Sequence, residues 1–257
     1  MQLAVDIGNT NVVAGIFKGS DFVTSWRFET ERGKTADEWW ALLATLMQQE
    51  GIDPNRLDGM AIGSGVPRLT ATFRGLCRRR LGRDPIEVRA GVDLGIANQT
   101  EMPDEVGPDR LANAVAAISY GPGPWVVIDF GTATTLDVVA RDGAYLGGPI
   151  APGVMVALEG LTAHAAQLSS VPLEVPARAI GRNTTEAMQA GIVLGYVGLI
   201  EGLLTRITHE LGETPRVIAT GGLGELFAGQ IPAVERYDPN HTLIGLNLVY
   251  LRIASTR

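Results

Sequence analysis

Residues 125–139 read WVVIDFGTATTLDVV and repeat the pattern of residues 3–17, which read LAVDIGNTNVVAGIF. In each stretch an apolar run ends in an aspartate, and an apolar residue, a glycine, small polar residues and a second apolar run follow. This order predicts two adjacent antiparallel strands joined by a glycine turn. Since each copy is also followed by a glycine-containing hairpin turn, at 18–21 and at 141–143, we infer that the chain is duplicated.

The segments between the two copies alternate between strand and helix patterns. Thr35 and Glu38 form a capping box ahead of an apolar helical repeat, which predicts a helix over 35–50. Further helices are predicted over 69–81 and 108–120, and strands over 60–63 and 85–88. The run Gly121-Pro122-Gly123-Pro124 then breaks the pattern. We therefore expect an α/β protein with one lobe over residues 1–120 and a second over 121–257.

The repeated turn is suited to phosphate chemistry. Its glycine lets backbone N–H groups approach an anion, threonine and asparagine add donors, and the aspartate can hold a hydrated cation. One copy alone is equally well explained as a hairpin sequence. Two copies, with the third glycine turn at 217–224, favour a nucleotide whose phosphates are gripped from both sides. The residues singled out are Asp6, Gly8, Asn9, Thr10, Asn11, Asp129, Gly131, Thr132, Thr134, Gly221 and Gly222.

Charge and hydropathy argue against several other classes of protein. The net charge is -7, and the most basic run, Arg78 to Arg80, follows apolar residues at helical spacing, so we expect no nucleic-acid partner. The apolar stretch 187–200 is shorter than the roughly 18 to 20 residues that span a bilayer. The first residues resemble no secretory signal. We therefore expect a cytoplasmic protein without a membrane span.

Six motifs, in this order and spacing, resemble the type III pantothenate kinase family of the actin-like phosphotransferases. They are residues 6–11, 105–110, 129–135, 147–153, 181–184 and 220–223. The resemblance implies two duplicated actin-like (ribonuclease H-like) lobes with an ATP cleft between them. It also implies the ATP-dependent phosphorylation of pantothenate to 4'-phosphopantothenate, the first step of coenzyme A biosynthesis.

The resemblance assigns roles to single residues. Asp109 would be the general base for the pantothenate hydroxyl, and Gly107 and Arg110 would bind the substrate. Asp6 would order Mg²⁺ on ATP through water, and Asp129 would bind a monovalent cation, K⁺ or NH₄⁺. Asp109 also suits the first turn of a helix, a purely structural role. Two positions depart from the family pattern: Thr100 stands where a tyrosine is common, and Pro108 replaces a small residue.

The resemblance also implies a homodimer, in which Thr184 reaches the pantothenate site of the neighbouring subunit. The alternative is that Asn183 or Thr184 caps the following helix, which has Glu186 in its first turn. That helix carries four glycines, Gly191, Gly195, Gly198 and Gly202. Because each costs roughly 1 kcal/mol relative to alanine, they indicate close packing against another element, of which a dimer interface is one candidate.

Two other functions remain open from the sequence. The first is a noncatalytic accessory factor affecting transcription, since such homologues share the fold. The second is a related small-molecule kinase or phosphatase with a different acceptor, which Thr100 would favour. The three aspartates at 6, 109 and 129 argue for the kinase, because a binding module needs no general base.

Overall fold

The computed structural model of the protein describes residues 1–255. The strands are β1 (Gln2–Ile7), β2 (Asn11–Lys18), β3 (Asp21–Glu29), β4 (Gly59–Ser64), β5 (Ile86–Glu87), β6 (Trp125–Phe130), β7 (Ala133–Val139), β8 (Tyr145–Gly147), β9 (Ile150–Pro152), β10 (Arg216–Thr220) and β11 (Val234–Tyr237). The α-helices are α1 (Ala36–Gln49), α2 (Pro67–Leu81), α3 (Pro108–Ser119), α4 (Val154–His164), α5 (Thr184–Gln189), α6 (Gly195–Leu211), α7 (Gly224–Ala228) and α8 (His241–Ala254). Two compact units form, one from Met1–Tyr120 with Asn240–Arg257 and one from Gly121–Pro239.

The two units contain sheets that share the order of five strands, and in the second unit β9 adds a sixth strand by pairing with β7. In the first, the strand order is β3-β2-β1-β4-β5, with β1, β2 and β3 antiparallel and β4 and β5 parallel to β1. In the second, β8-β7-β6-β10-β11 repeats this order and these directions. β1 therefore corresponds to β6, and Asp6 near the end of β1 corresponds to Asp129 near the end of β6.

The core of the first unit lies on one face of its sheet, beneath α1 and α2. Trp39 of α1 packs edge-on against Phe28 at 5.6 Å and against Phe73 of α2 at 5.3 Å between ring centroids. α1 begins at the predicted capping box, because the Thr35 side chain accepts the Glu38 N–H and Glu38 accepts the Thr35 N–H. The Thr35 backbone N–H and, with a smaller effect, the Thr35 hydroxyl donate to the Glu38 carboxylate and lower its pKa.

The core of the second unit is built mainly by β6, β7 and α6. Phe130 stacks on Phe227 at 5.0 Å, and α6 contributes buried residues such as Ile200 and Leu204. The five residues Ala190–Leu194 form a π-helical segment that joins α5 to α6. This continuous helix, Thr184–Leu211, is long and apolar enough to cross a membrane, but 44% of its most apolar window is buried. Packing inside the unit therefore accounts for much of its apolar character.

The C-terminal helix corrects the expected domain boundary. The second lobe was predicted to run from 121 to 257, but α8 belongs to the first unit. A Cβ on Gly245 of α8 would lie 1.9 Å from the Ala112 carbonyl oxygen of α3, so the two helices are in backbone contact. Asn247 of α8 also donates a 2.8 Å hydrogen bond to the Gly19 carbonyl in the β2–β3 turn.

Candidate active site

The turn after β1 is closed by a backbone hydrogen bond, and Thr30 holds it from one side. The Gly8 N–H donates to the Asn11 carbonyl at 2.9 Å, and a Cβ on Gly8 would lie only 3.1 Å from that oxygen. Thr30 ties the turn down, since its N–H donates to the Thr10 carbonyl at 2.9 Å and its hydroxyl to the Gly8 carbonyl at 2.7 Å. Asn9 and Thr10 are left exposed at the tip, while Asp6 is half-buried beside it.

One residue at this turn was missed by the sequence reasoning. The Arg32 guanidinium donates a 3.1 Å hydrogen bond from Nη2 to Oδ1 of Asn9, and its side chain is exposed. Arg32 belongs to none of the motifs and lies 23 residues from Asn9 in the chain. The signal that could have found it is the antiparallel pairing of β2 with β3, which returns residues 30–32 to the turn.

The motif at 105–110 forms the start of α3. Gly107 is the N-cap and makes no side-chain capping bond, and Pro108 takes the first helical position, where its fixed φ is favourable. Asp109 is exposed, and its Oδ1 accepts the Arg110 backbone N–H at 2.9 Å. A Cβ on Gly107 would lie 2.4 Å from that Oδ1, so glycine makes room for the carboxylate. The second carboxylate oxygen, Oδ2, remains accessible to a substrate hydroxyl.

The turn after β1 and the motif at 105–110 adjoin within the first unit. Gly63 of β4 is the ladder partner of Asp6, and a Cβ on Gly63 would lie 3.6 Å from Cβ of Pro108. The start of α3 therefore packs beside the position next to Asp6. This juxtaposition lies at the carboxyl ends of two parallel strands, where α/β proteins commonly bind ligands.

In the second unit the third glycine turn rests on Asp129. Gly221 follows Thr220, the ladder partner of Asp129, and has a positive φ of +89°. A Cβ there would lie 2.5 Å from Asp129 Oδ1 and 2.6 Å from backbone atoms of Phe130. Tyr237 holds the turn from the other side, since its hydroxyl donates to the Gly221 carbonyl at 3.3 Å. Two of the predicted nucleotide motifs are thus in contact.

The loop at Gly131 and Thr132 is exposed, and the motif at 147–153 packs behind it. The Gly153 N–H donates to the Thr132 carbonyl at 3.0 Å, and a Cβ on Gly153 would lie 2.1 Å from that oxygen. Pro152, just before Gly153, accepts a hydrogen bond from the Tyr196 hydroxyl. Burial raises the pKa of Tyr196, so this hydroxyl stays a donor at neutral pH.

Strand alternation places Thr134 differently from our expectation. Thr134 pairs with Phe130, which lies in the core, and its side chain is fully buried. Thr135 instead pairs with Asp129 and so shares its face of the sheet. The Thr135 hydroxyl donates to the buried Asp137 carboxylate at 3.4 Å. The period-2 pattern of β7 could have shown that Thr135, and not Thr134, neighbours Asp129.

The motif at 181–184 borders a cavity in the second unit. Asn183 is the N-cap of α5: its Oδ1 accepts the Glu186 N–H at 2.9 Å. Thr184 is exposed, and within residues 1–255 its hydroxyl makes no hydrogen bond. The cavity measures about 700 Å³. It is lined by Leu161, Leu168, Gly181, Arg182, Asn183, Thr184, Ala187, Met188, Gly191 and Ile192.

Comparison with known proteins assigns the chain to a family. The family model described as type III pantothenate kinase matches residues 2–206. A type III pantothenate kinase of Thermomicrobium roseum is 47% identical over 253 residues, with 98% of both chains covered. One from Rhodospirillum rubrum is 48% identical over 253 residues with the same coverage. The chain belongs to the type III pantothenate kinase family.

Solved structures at lower identity bear on the fold alone. A Campylobacter jejuni protein named as a candidate Baf family transcriptional activator has a TM-score of 0.64 at 18% identity, covering 98% of this chain and 99% of its own. An inorganic polyphosphate/ATP-glucomannokinase from Arthrobacter has a TM-score of 0.52 at 14% identity, covering 100% and 99%. With the matching sheets, these likenesses confirm two duplicated actin-like lobes. The ATP cleft expected between them stays a prediction.

Both departures from the type III pantothenate kinase pattern have a local structural setting. Pro108 stands at the first position of α3 and leaves the Gly107 cap and Asp109 in place. Thr100 lies in a tight turn, where its N–H and its hydroxyl both donate to Oδ1 of Asn98, at 3.1 and 2.8 Å. Position 100 therefore carries a short side chain bound to its own loop.

The residues expected to bind metal ions do not form a protein cage around an ion. Within residues 1–255 no three His, Cys, Asp or Glu side chains come close enough to hold a metal ion. A site without such a cluster fits a magnesium ion that keeps several waters and binds mainly to nucleotide phosphates. In this type III pantothenate kinase homologue Asp6 and Asp129 are both half-buried at strand ends, which suits that kind of binding.

Proposed function

We propose that this protein is an ATP-dependent pantothenate kinase of the cytoplasm, which forms 4'-phosphopantothenate in the first step of coenzyme A biosynthesis. The observation that carries the proposal is the juxtaposition in the first unit of the Asp6 turn and the exposed Asp109, joined through Gly63 and Pro108. A phosphate-binding turn beside a carboxylate on a helix start is what phosphoryl transfer to an alcohol requires. Family membership over nearly the whole chain supplies the acceptor.

The proposed reaction needs little covalent chemistry from the protein. The primary hydroxyl of pantothenate attacks the γ-phosphorus of ATP, its proton passes to Oδ2 of Asp109, and ADP leaves. Positioning and charge neutralisation provide most of the rate enhancement in such transfers. Arg110 and the backbone at Gly107 would hold the acceptor's polar groups. The Arg110 N–H engages only Oδ1 of Asp109, which orients the carboxylate and leaves Oδ2 to take the proton.

The nucleotide is proposed to use glycine turns from both units. Gly8 to Asn11 in the first unit, and Gly131, Thr132, Gly221 and Gly222 in the second, would supply backbone and side-chain donors. Asp6 would hold Mg²⁺ through water, and Asp129 would hold K⁺ or NH₄⁺. When bound, these cations neutralise negative charge on the phosphates. Thr134 is left out of the proposed site because its side chain is buried in the core.

The proposed assembly is a homodimer in which Thr184 completes the partner's acceptor site. Three observations support it. Asn183 caps α5 and leaves the Thr184 hydroxyl without a partner among residues 1–255. A Cβ on Gly191, Gly195 or Gly198 would meet no atom within 4 Å in the described part of the chain, so these helix positions are open. Large apolar side chains are exposed in the same unit, among them Ile150 at 66% and Ile180 at 81%.

An acceptor panel tests the proposal. ADP release by the purified protein is measured with Mg-ATP, with and without K⁺, using pantothenate and a series of small alcohols and sugars. Pantothenate should give the highest kcat/KM, and K⁺ should be required. Preference for another alcohol would assign a different kinase, which the short Thr100 side chain makes worth testing. ATP binding without turnover of any acceptor would instead favour a noncatalytic accessory role.

A further inference from the structure

The segment that follows β3 runs alongside the turn at residues 8–11 of the first unit. Thr30 bonds two of the turn's carbonyls, those of Gly8 and Thr10, and two residues later Arg32 reaches the side chain of Asn9. The guanidinium is thus held at the exposed tip of the turn by a neutral amide oxygen at 3.1 Å. Because the two hydrogen bonds of Thr30 anchor this segment to the turn, Arg32 is held close to Asn9.

Within the described residues the charge on this guanidinium is not paired. Its neighbour Glu31 is occupied by an ion pair with Lys34, whereas within residues 1–255 Arg32 makes no ion pair. Two further carboxylates lie at the turn: Asp6 beside it and Glu29, the ladder partner of Asn11. An ATP phosphate chain entering here would lie near those carboxylates, and a cation at the tip would favour its binding.

We propose that Arg32 is a phosphate-binding residue of the nucleotide site, oriented by Asn9. This inference rests on the proposed function, in which the Gly8–Asn11 turn receives the phosphates of ATP. A guanidinium has five N–H donors in a planar fork that matches phosphate oxygens, and the bond to Asn9 uses one of them. The remaining donors are available to the ligand because the side chain is exposed.

Three substitutions test the assignment. Arg32→Gln removes the charge, and Arg32→Lys keeps the charge but loses the planar fork. Arg27→Gln is the matched control, because Arg27 is exposed on β3, makes no ion pair within residues 1–255 and pairs with Val13, two ladder positions from the Asn11–Glu29 pair at the turn. Both sites are solvent-facing, so thermal unfolding of all three variants should differ little from wild type. Binding of ATP, inorganic tripolyphosphate and adenosine is measured by calorimetry, with KM for ATP and for the alcohol measured separately.

A charge-assisted hydrogen bond contributes enough for a loss of about tenfold when one partner is removed at an exposed site. We expect Arg32→Gln to weaken ATP and tripolyphosphate by about that factor, and to leave adenosine binding and the alcohol KM unchanged. The affinity of Arg32→Lys for ATP should lie between those of wild type and Arg32→Gln, and the affinity of Arg27→Gln should match that of wild type. The difference between wild type and Arg32→Gln should shrink from about 0.1 to about 1 M salt, as screening shortens from about 10 to about 3 Å.

Asn9 gives an independent check of orientation. In a double-mutant cycle of Asn9→Ala and Arg32→Gln, the two losses in ATP affinity should be clearly non-additive, since each removes the same hydrogen-bonded unit. Additive losses would overturn the role of Asn9 in orienting Arg32.

The inference is overturned if Arg32→Gln binds ATP within twofold of wild type and of the Arg27 control. It is equally overturned if adenosine weakens as much as ATP, which would make Arg32 a support for the turn only, or if the alcohol KM rises instead. Failure of the proposed function looks different, because it shows in the wild-type protein itself: no ATP binding, no turnover of any acceptor, or preference for an alcohol other than pantothenate.

Discussion

Replacing Gly221 by alanine tests the contact between the third glycine turn and Asp129. Gly221 has a φ of +89°, which an alanine adopts at a cost of about 1 to 2 kcal/mol. The added Cβ would lie 2.5 Å from Asp129 Oδ1 and 2.6 Å from the Phe130 N and C atoms. The carboxylate can rotate away, but the Phe130 backbone belongs to β6, so relief requires moving the turn.

Overpacking of this kind costs about 1 to 3 kcal/mol, so the variant should lose about 2 to 5 kcal/mol in all. For a chain of this size that corresponds to a fall of about 5 to 15 °C in Tm. If the turn shifts instead of the unit unfolding, ATP affinity should fall by at least about tenfold, because Gly221 and Asp129 lose their relative placement. Urea or thermal unfolding and calorimetric ATP binding measure the two outcomes.

Gly229→Ala is the control for this substitution. Gly229 ends the neighbouring helix α7 in a right-handed conformation, and a Cβ there would meet no atom within 4 Å. The free energy of unfolding of Gly229→Ala should stay within about 1 kcal/mol of wild type. If Gly221→Ala matches this control in stability and binds ATP as wild type does, the close contact with Asp129 does not affect the free energy of unfolding and the reasoning is refuted.

The remaining predictions concern catalysis, assembly and the single thiol. Asp109→Asn should lower kcat by about 10² to 10⁴ with ATP affinity and Tm unchanged, because asparagine cannot accept the proton; a variant that keeps most of its kcat leaves Asp109 a helix-start residue only. Mixing Asp109→Asn chains with Thr184→Val chains should restore activity, since a shared site gives each heterodimer one intact site; no recovery despite subunit exchange would place each site within one chain. Burial raises the pKa of the Cys77 thiol from 9.0 to about 11, so the folded state holds that proton more tightly than the unfolded state. Stability from this source is present below about pH 9 and lost towards pH 11, so wild type should lose more stability than Cys77→Ala over this window in urea unfolding at stepped pH.

Local patterns predicted much of this fold because the interactions they encode are local. The Thr35–Glu38 capping box marks the start of α1, and the repeated aspartate-glycine turn marks both central hairpins. The position of α8 could not be predicted in the same way. Its place on α3 depends on the close approach at Gly245, a contact between residues more than a hundred positions apart, and no short-range pattern records it.

The candidate site shows the same limit at the level of single side chains. Motif matching singled out Thr134, but strand alternation turns that side chain into the core and places Thr135 beside Asp129. Motif matching also passed over Arg32, which reaches Asn9 only because β3 returns to the turn. A motif identifies a segment with a function, whereas the register of the strands decides which of its side chains can serve it.

Duplication gives the two aspartates equivalent places in the fold but different neighbours. Asp6 lies between Val13 and Gly63 in its ladders, neither of which has a polar side chain. Asp129 lies between Thr135 and Thr220, both hydroxyl residues. Ladder neighbours without side-chain oxygens, as at Asp6, suit an ion that keeps its water shell, as Mg²⁺ does. A carboxylate flanked by hydroxyl oxygens can replace the waters of a larger, weakly hydrated ion, and this contrast supports the proposed assignment of Mg²⁺ to Asp6 and of the monovalent cation to Asp129.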